Sequence, residues 1–165
     1  MIKFSLKRLQ ERVPYELVLA ENDFTFETDF GIHYSVSFCK EEIELGGCAT
    51  YQLIIRKIEE RRSRHDPKVE ATILAIINEF FESNTEVMLY LCDTSDGREE
   101  SRDRLFLSWF ERFENKERFT ICRAHTNVEG EGLFICIVVD NRNPKLKAIT
   151  DDFEESAKIL TQEKP

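Results

Sequence analysis

The sequence predicts a single α+β domain spanning residues 1–165, with a mostly antiparallel sheet of about six to seven strands. Two main helices would pack on one face of this sheet, and a short helix would follow near the C-terminus. Three observations lead to this fold class. Apolar and polar residues alternate with period two in much of 15–58, two later segments repeat apolar residues at helical spacing, and two strand patterns around a glycine-containing turn come after them.

The first third of the chain is predicted to be an antiparallel meander. Residues 1–14 mix basic with apolar side chains and are expected to form an N-terminal arm or an edge strand. Strand patterns follow at 15–20, 24–28, 32–38 and 50–58, with turn residues between the first three. The last of them is rich in β-branched residues, which favour strands.

Two helices are predicted in the middle of the chain. Asp66 and Pro67 mark the start of the first, because aspartate caps helices and proline suits the first helical position. Apolar residues then recur at helical spacing as far as Phe81, and the helix is expected to stop near Asn84. The second helix has its apolar stripe within 105–113.

The C-terminal part is predicted to contain a hairpin and a short helix. Strand patterns at 118–126 and 133–140 flank the segment EGEG at 129–132, which is typical of a hairpin turn. A final helix is expected over 150–160, followed by a frayed tail at 161–165.

Composition favours a cytoplasmic protein that does not enter a membrane. No run approaches the roughly 20 apolar residues that a membrane-spanning helix needs. The N-terminal segment carries charges where a signal peptide requires an apolar stretch. The five cysteines are odd in number and form no CxxC motif, so reduced, mostly buried thiols are expected.

Net charge argues against a nucleic-acid partner. The chain carries a formal charge of −9, whereas neutralising phosphates requires a surplus of lysine and arginine. Positive charge dominates locally only within 56–68. We interpret this segment as a solvated loop balanced by Glu59, Glu60 and Asp66, and a phosphate-binding patch is the alternative. No aromatic residue lies among the basic ones to provide a stacking platform for bases.

The stretch 87–113 carries the candidate site. It begins with the most apolar strand pattern of the chain, continues as a polar loop, and ends in the second helix. As structural elements, the polar residues would cap the helix and permit the turn. As functional elements, they would form a pocket in which backbone N–H groups and the helix N-terminus favour an anion. The candidate ligand-binding residues are Asp93, Ser95, Asp96, Gly97, Arg98 and Arg102.

Two arginines make this stretch more than a capped helix. Helical spacing places Arg98 and Arg102 on the side that continues the apolar stripe, where an unpaired charge is costly. Asp93 and Asp96 would neutralise them in an internal ion-pair network. Alternatively, an anionic ligand would do so, because arginine suits bidentate contacts with carboxylate and phosphate. In a third interpretation the two aspartates act as a base or hold Mg²⁺.

The same stretch resembles a known family. YLCDTSDGR at 90–98 and RxRLFxxWF at 102–110 are similar to a family of small bacterial proteins described only as a domain of unknown function. TDFGIHYSVSF at 28–38 and DPKVEATILAIINEFF at 66–81 are similar to it as well. The resemblance implies a single cytosolic α+β domain, and it implies no activity.

No catalytic motif is recognised in the sequence. The loop at 93–98 matches neither a phosphate-binding P-loop nor a dinucleotide-binding GxGxxG loop, and the three histidines lack metal-ligand spacing. We therefore predict no metal, no cofactor and no catalytic residue, with Mg²⁺ as the alternative. The first hypothesis is a protein-binding or regulatory module with an unknown protein partner. The alternative is a binder of a small anionic or phosphate-containing ligand at 93–102, with an enzyme as one form of it.

Overall fold

The computed structural model describes residues 2–62, 64–93, 106–111, 116–128 and 131–162. Within them, seven strands form a sheet of order β1-β2-β3-β4-β5-β7-β6. The strands are β1 Val18–Ala20, β2 Asp23–Glu27, β3 His33–Lys40, β4 Thr50–Lys57, β5 Val87–Asp93, β6 Phe119–Val128 and β7 Glu131–Asp140. The helices are α1 Leu6–Gln10, α2 Pro67–Ser83, α3 with described residues 106–111, and α4 Leu146–Gln162. A short 3-10 turn, Lys116–Arg118, precedes β6.

The predicted fold class is confirmed. Adjacent strands pair antiparallel in β1–β2, β2–β3, β5–β7 and β6–β7, whereas β4 and β5 run parallel. The chain divides into two compact units. The first unit contains Met1–Cys39 and Leu53–Thr85, and the second contains Lys40–Gln52 and Glu86–Pro165. That the whole chain is a single domain stays a prediction.

In the first unit, an aromatic core holds the hairpin and helix α2 together. Alternation along β2 buries Phe24 and Phe26, as the sequence predicts. Asp66 caps α2 by accepting a hydrogen bond of 3.0 Å from the Lys68 amide, which confirms the predicted helix start. Phe80 of the helix then stacks on Phe38 of β3, with ring centroids 4.9 Å apart.

Residues 2–14 contain helix α1, and a buried carboxylate fastens this N-terminal arm to α2. Glu79 of α2 is 1% exposed. It accepts hydrogen bonds from the Ser5 amide at 2.9 Å, from Arg8 Nε at 2.8 Å and from the Ser83 hydroxyl. Burial alone would raise the pKa of Glu79, but the hydrogen bonds from Arg8, Ser5 and Ser83 lower it. The arm is therefore an integral part of the first unit.

In the second unit, β5 lies between β4 and β7, as expected for the most apolar strand. Val87 and Met88 are fully buried, and Cys92 is almost so. The core that includes Val87 also contains Ile137, Val139, Ile149, Phe153 and Leu45.

Helix α4 begins at Leu146, four residues before the predicted start, and has 17 residues rather than being short. Asn143 explains the difference. Its side-chain oxygen accepts a hydrogen bond of 2.8 Å from the Lys145 amide, and Pro144 follows the asparagine directly. An asparagine followed by proline resembles the start signal Asp66-Pro67, although α4 begins three residues after the asparagine and α2 directly after the aspartate.

Two further features bear on the predicted environment. All five cysteines are free, and Cys92 and Cys136 are buried. None of the helices in the described part of the chain has the length and apolar character required to cross a membrane. A cytoplasmic location stays a prediction.

Candidate functional site

Of the predicted ligand-binding residues, the structure describes only the backbone of Asp93. Asp93 is the last residue of β5, where its backbone pairs with Leu133 of β7, but its side chain lies outside the described residues. The rest of the predicted set lies outside them entirely, namely Ser95, Asp96, Gly97, Arg98 and Arg102. An anion or Mg²⁺ site there stays a prediction. Among the residues that are described, no group of three or more His, Cys, Asp or Glu side chains could hold a metal ion.

A buried ion cluster in the second unit is a structural feature rather than a site. Asp140, at the end of β7, is fully buried and lies 3.1 Å from Arg118 Nη2 and 2.7 Å from Arg142 Nη2. Burial alone would raise the pKa of Asp140, yet hydrogen bonds from Arg142 and the charge of Arg118 lower it. Both carboxylate oxygens already accept hydrogen bonds, so this cluster offers little to a ligand.

A different surface of the first unit combines exposed charge with exposed apolar side chains. It consists of the end of β4, the connection from β4 to α2, and the turn between β2 and β3. Ile58 is 59% exposed and Phe30 is 46% exposed. The basic side chains of the same segments are exposed as well. We call this set the arginine surface and define it as Phe30, Arg56, Lys57, Ile58, Arg61, Arg62 and Arg64.

The turn between β2 and β3 brings Phe30 to the basic residues. The Thr28 hydroxyl accepts hydrogen bonds of 3.2 Å from the amides of Phe30 and Ile32, and Gly31 adopts φ +73°. Arg61 Nη2 donates to the carbonyl of Phe30 at 3.1 Å, and Arg64 Cζ lies 5.9 Å from the Phe30 ring centroid. The sequence interpretation found no aromatic residue among these cations, because Phe30 comes from a distant segment.

The connection between β4 and α2 is fixed to the start of β3. Ile58 donates its amide hydrogen to the His33 carbonyl at 2.9 Å. Glu59 accepts from the His33 amide at 2.7 Å and contacts His33 Nδ1 at 2.5 Å. Hydrogen bonds from the His33 amide and ring lower the pKa of Glu59 to about 2. Backbone and side-chain contacts to His33, and the contact of Arg61 with Phe30, therefore fix the connection that carries most of the arginine surface.

The cations of the arginine surface differ from other arginines in their ion pairing. Four arginines elsewhere in the described chain pair with carboxylates: Arg8, Arg12, Arg118 and Arg142. Counting only described residues, no carboxylate lies within ion-pair distance of Arg56, Lys57, Arg61, Arg62 or Arg64. Two of the acids predicted to balance them are already engaged, since Glu59 contacts His33 and Asp66 accepts from Tyr15. Glu60, the third of these acids, is exposed and forms no ion pair among the described residues, so the positive charge of this surface is only partly balanced.

The His33 contact predicts a pH dependence of stability. The hydrogen bond and charge of Glu59 raise the pKa of His33 above 6.5 in the folded protein. The contact between protonated His33 and Glu59 therefore stabilises the fold fully below pH 6.5. This stabilisation is lost as the pH rises through the pKa of His33 in the folded protein. We expect the stability advantage of the wild type over His33→Gln to shrink across that interval, as measured by urea unfolding at several pH values. His65→Gln, an exposed histidine in the same connection, is the control, and a difference for His33→Gln that does not vary with pH would contradict the assignment.

Comparison with known proteins places most of the C-terminal part of the chain in one family. A model described as "Family of unknown function (DUF6169)" matches residues 65–155, more than half of the sequence. The predicted resemblance to a family of unknown function is thereby confirmed. No curated protein matches the sequence. The match begins directly after Arg64, so the arginine surface lies outside the matched residues.

Proposed function

We propose that this chain, which belongs to the family of unknown function DUF6169, is a protein-binding module that acts without catalysis and docks its partner on the arginine surface. One observation carries the proposal. Five exposed cations without a carboxylate partner among the described residues lie in the same segments as two exposed apolar side chains, Phe30 and Ile58, and two of the cations, Arg61 and Arg64, contact Phe30. Arginine and aromatic residues are the side chains that contribute most to protein–protein binding energy.

The chemistry of the surface favours an acidic partner. Each guanidinium presents several donors in one plane and binds a carboxylate with two parallel hydrogen bonds. The whole chain is negative, with a formal charge of −9. At physiological salt, however, charges beyond about 8 Å are largely screened, so a partner at this surface experiences mainly the local cations. Phe30 and Ile58 would supply the apolar contacts that cations alone lack.

The geometry of the surface supports recognition rather than catalysis. Arg61 is held on the carbonyls of Phe30 and Gly31, and the Glu59–His33 contact holds the connection, so the backbone of the surface and the Arg61 side chain need little ordering on binding. The seven residues include no carboxylate, imidazole, thiol or hydroxyl group that would act as an acid or a base. The Lys57 ammonium donates to the Arg61 carbonyl at 2.7 Å. The five free cysteines suit a reducing compartment, and the protein would therefore act in the cytoplasm.

Site-specific photo-crosslinking tests the proposal. A photoreactive phenylalanine analogue is placed at Ile58, and at Val18 as the control, since Val18 is a comparably exposed apolar residue of β1, away from the surface. After irradiation in lysate of the cells that encode the chain, we expect a discrete protein adduct from position 58 and not from position 18. Arg62→Glu with Arg64→Glu should abolish the adduct, and Arg62→Lys with Arg64→Lys should retain part of it. Equal adduct yields from both positions, or an adduct yield from position 58 that charge reversal does not lower, would refute the docking surface.

A further inference from the structure

We infer that a second copy of this chain is a partner of the arginine surface, and that it binds there through the acidic loop Glu41, Glu42, Ile43 and Glu44. This inference rests on the proposed function, because it names the occupant of the same surface. It follows from one property of the chain. Two exposed segments of opposite charge, each built around apolar side chains, lack charged partners in the described structure.

The acidic loop has the composition that the arginine surface would recognise. Ile43 is 71% exposed, the highest value among the large hydrophobic side chains of the described residues. Glutamates flank it on both sides, and Glu42 and Glu44 are exposed. Within the part of the chain that the structure covers, none of the three glutamates forms an ion pair. An exposed isoleucine between three unpaired carboxylates is a compact acidic and apolar epitope.

The tip of the acidic loop projects from a fixed base. On one side, the Glu41 amide donates to the Thr50 carbonyl at 2.9 Å. On the other side, Leu45 and Cys48 exchange backbone hydrogen bonds of 3.1 and 2.8 Å. The Gly46 amide donates to Asp152 Oδ2 at 2.8 Å. Because both ends of the loop are held, presenting Ile43 to a partner requires little loss of conformational freedom.

The two surfaces match in charge and in apolar content. The carboxylates of the acidic loop suit bidentate contacts with the guanidinium groups of Arg61, Arg62 and Arg64. Ile43 would pack against the exposed rings and methyl groups of Phe30 and Ile58. A contact between two different surfaces of identical chains forms a two-fold dimer when it is reciprocal, and rings or longer assemblies when it is not. Since each surface is small, the association should be reversible and sensitive to salt.

Sedimentation velocity of the full chain tests this inference. The monomer mass is 19.4 kDa. We expect the weight-average mass of the wild type to rise with protein concentration at low salt and to return toward the monomer at high salt. Glu42→Lys with Glu44→Lys should remain monomeric, and so should Arg62→Glu with Arg64→Glu. An equimolar mixture of these two variants should regain the larger mass, because reversing both surfaces restores their complementarity.

The outcomes separate this inference from the proposed function. Circular dichroism and thermal melting first confirm that each variant folds like the wild type. A wild type that stays at monomer mass at every concentration overturns the inference, as does a mixture of variants that fails to associate. If the wild type is monomeric while position 58 still crosslinks to another protein, the inference fails and the proposed function stands. Crosslinks from position 58 to nucleic acid, with a monomeric chain, overturn both.

Discussion

Replacing Gly46 by alanine is expected to destabilise the protein by about 2–4 kcal/mol. Gly46 adopts φ +57°, a left-handed conformation that disfavours side chains. In addition, a Cβ at this position would lie 2.7 Å from the Ile149 nitrogen and 2.8 Å from the Ala148 carbonyl carbon. Both are backbone atoms of α4, which cannot rotate away as a side chain would. Accommodating the methyl group therefore requires the acidic loop or the helix to move.

Gly47 provides a matched control for this prediction. It also has a left-handed backbone, with φ +75°, but its added Cβ would meet only the flexible end of the Lys145 side chain, at 3.5 Å. Gly47→Ala should therefore cost only the conformational term, about 1 kcal/mol. The measurement is the free energy of unfolding in urea for both variants. If the two substitutions cost the same, the close packing of Gly46 on α4 is not a determinant of stability.

Replacing Phe80 by alanine is expected to cost about 3–5 kcal/mol, because a large buried ring would leave a cavity. Phe80 is fully buried. It stacks on Phe38 at 4.9 Å and meets Phe81 edge-on at 5.0 Å between ring centroids. Phe4 of the N-terminal arm lies 6.4 Å away, so the arm should loosen together with the core. Urea unfolding measures the loss, and limited proteolysis of the arm reports its release.

Phe30 should behave in the opposite way. Because its ring is nearly half exposed and lies on a turn, Phe30→Ala should change the unfolding free energy by no more than about 0.5 kcal/mol. The same variant should weaken adduct formation from position 58, since it removes an apolar contact of the arginine surface. A loss of stability for Phe30→Ala as large as that for Phe80→Ala would mean that Phe30 belongs to the fold rather than to a binding surface.

Local patterns in the sequence were sufficient for most of the secondary structure. Period-two alternation around Phe24 and Phe26 defined the hairpin, and Asp66-Pro67 defined the start of α2, because each of these signals acts within a few residues. The early start of α4 was missed although Asn143 gives the same kind of signal. The parallel pairing of β4 with β5 joins strands separated by helix α2, and no local pattern specifies it.

The candidate site was predictable only in part, for a related reason. The surplus of positive charge near Arg61 is visible in the sequence, but its significance depends on which carboxylates are already engaged. Glu59 contacts His33 and not the arginines. Phe30 reaches the arginine surface from a turn that lies roughly thirty residues earlier in the chain. Both facts arise from tertiary structure. The set around Asp93 and Arg98 is not tested by the described residues and stays a prediction.

We propose that the arginines of this surface bind a protein partner and are not required for folding. The most direct test is the yield of photo-crosslinked adduct from position 58, compared between the wild type and the variant with Arg62→Glu and Arg64→Glu. We predict that charge reversal reduces this yield to the level of the Val18 control while the variant remains folded. An undiminished yield in the folded, charge-reversed variant would contradict the claim.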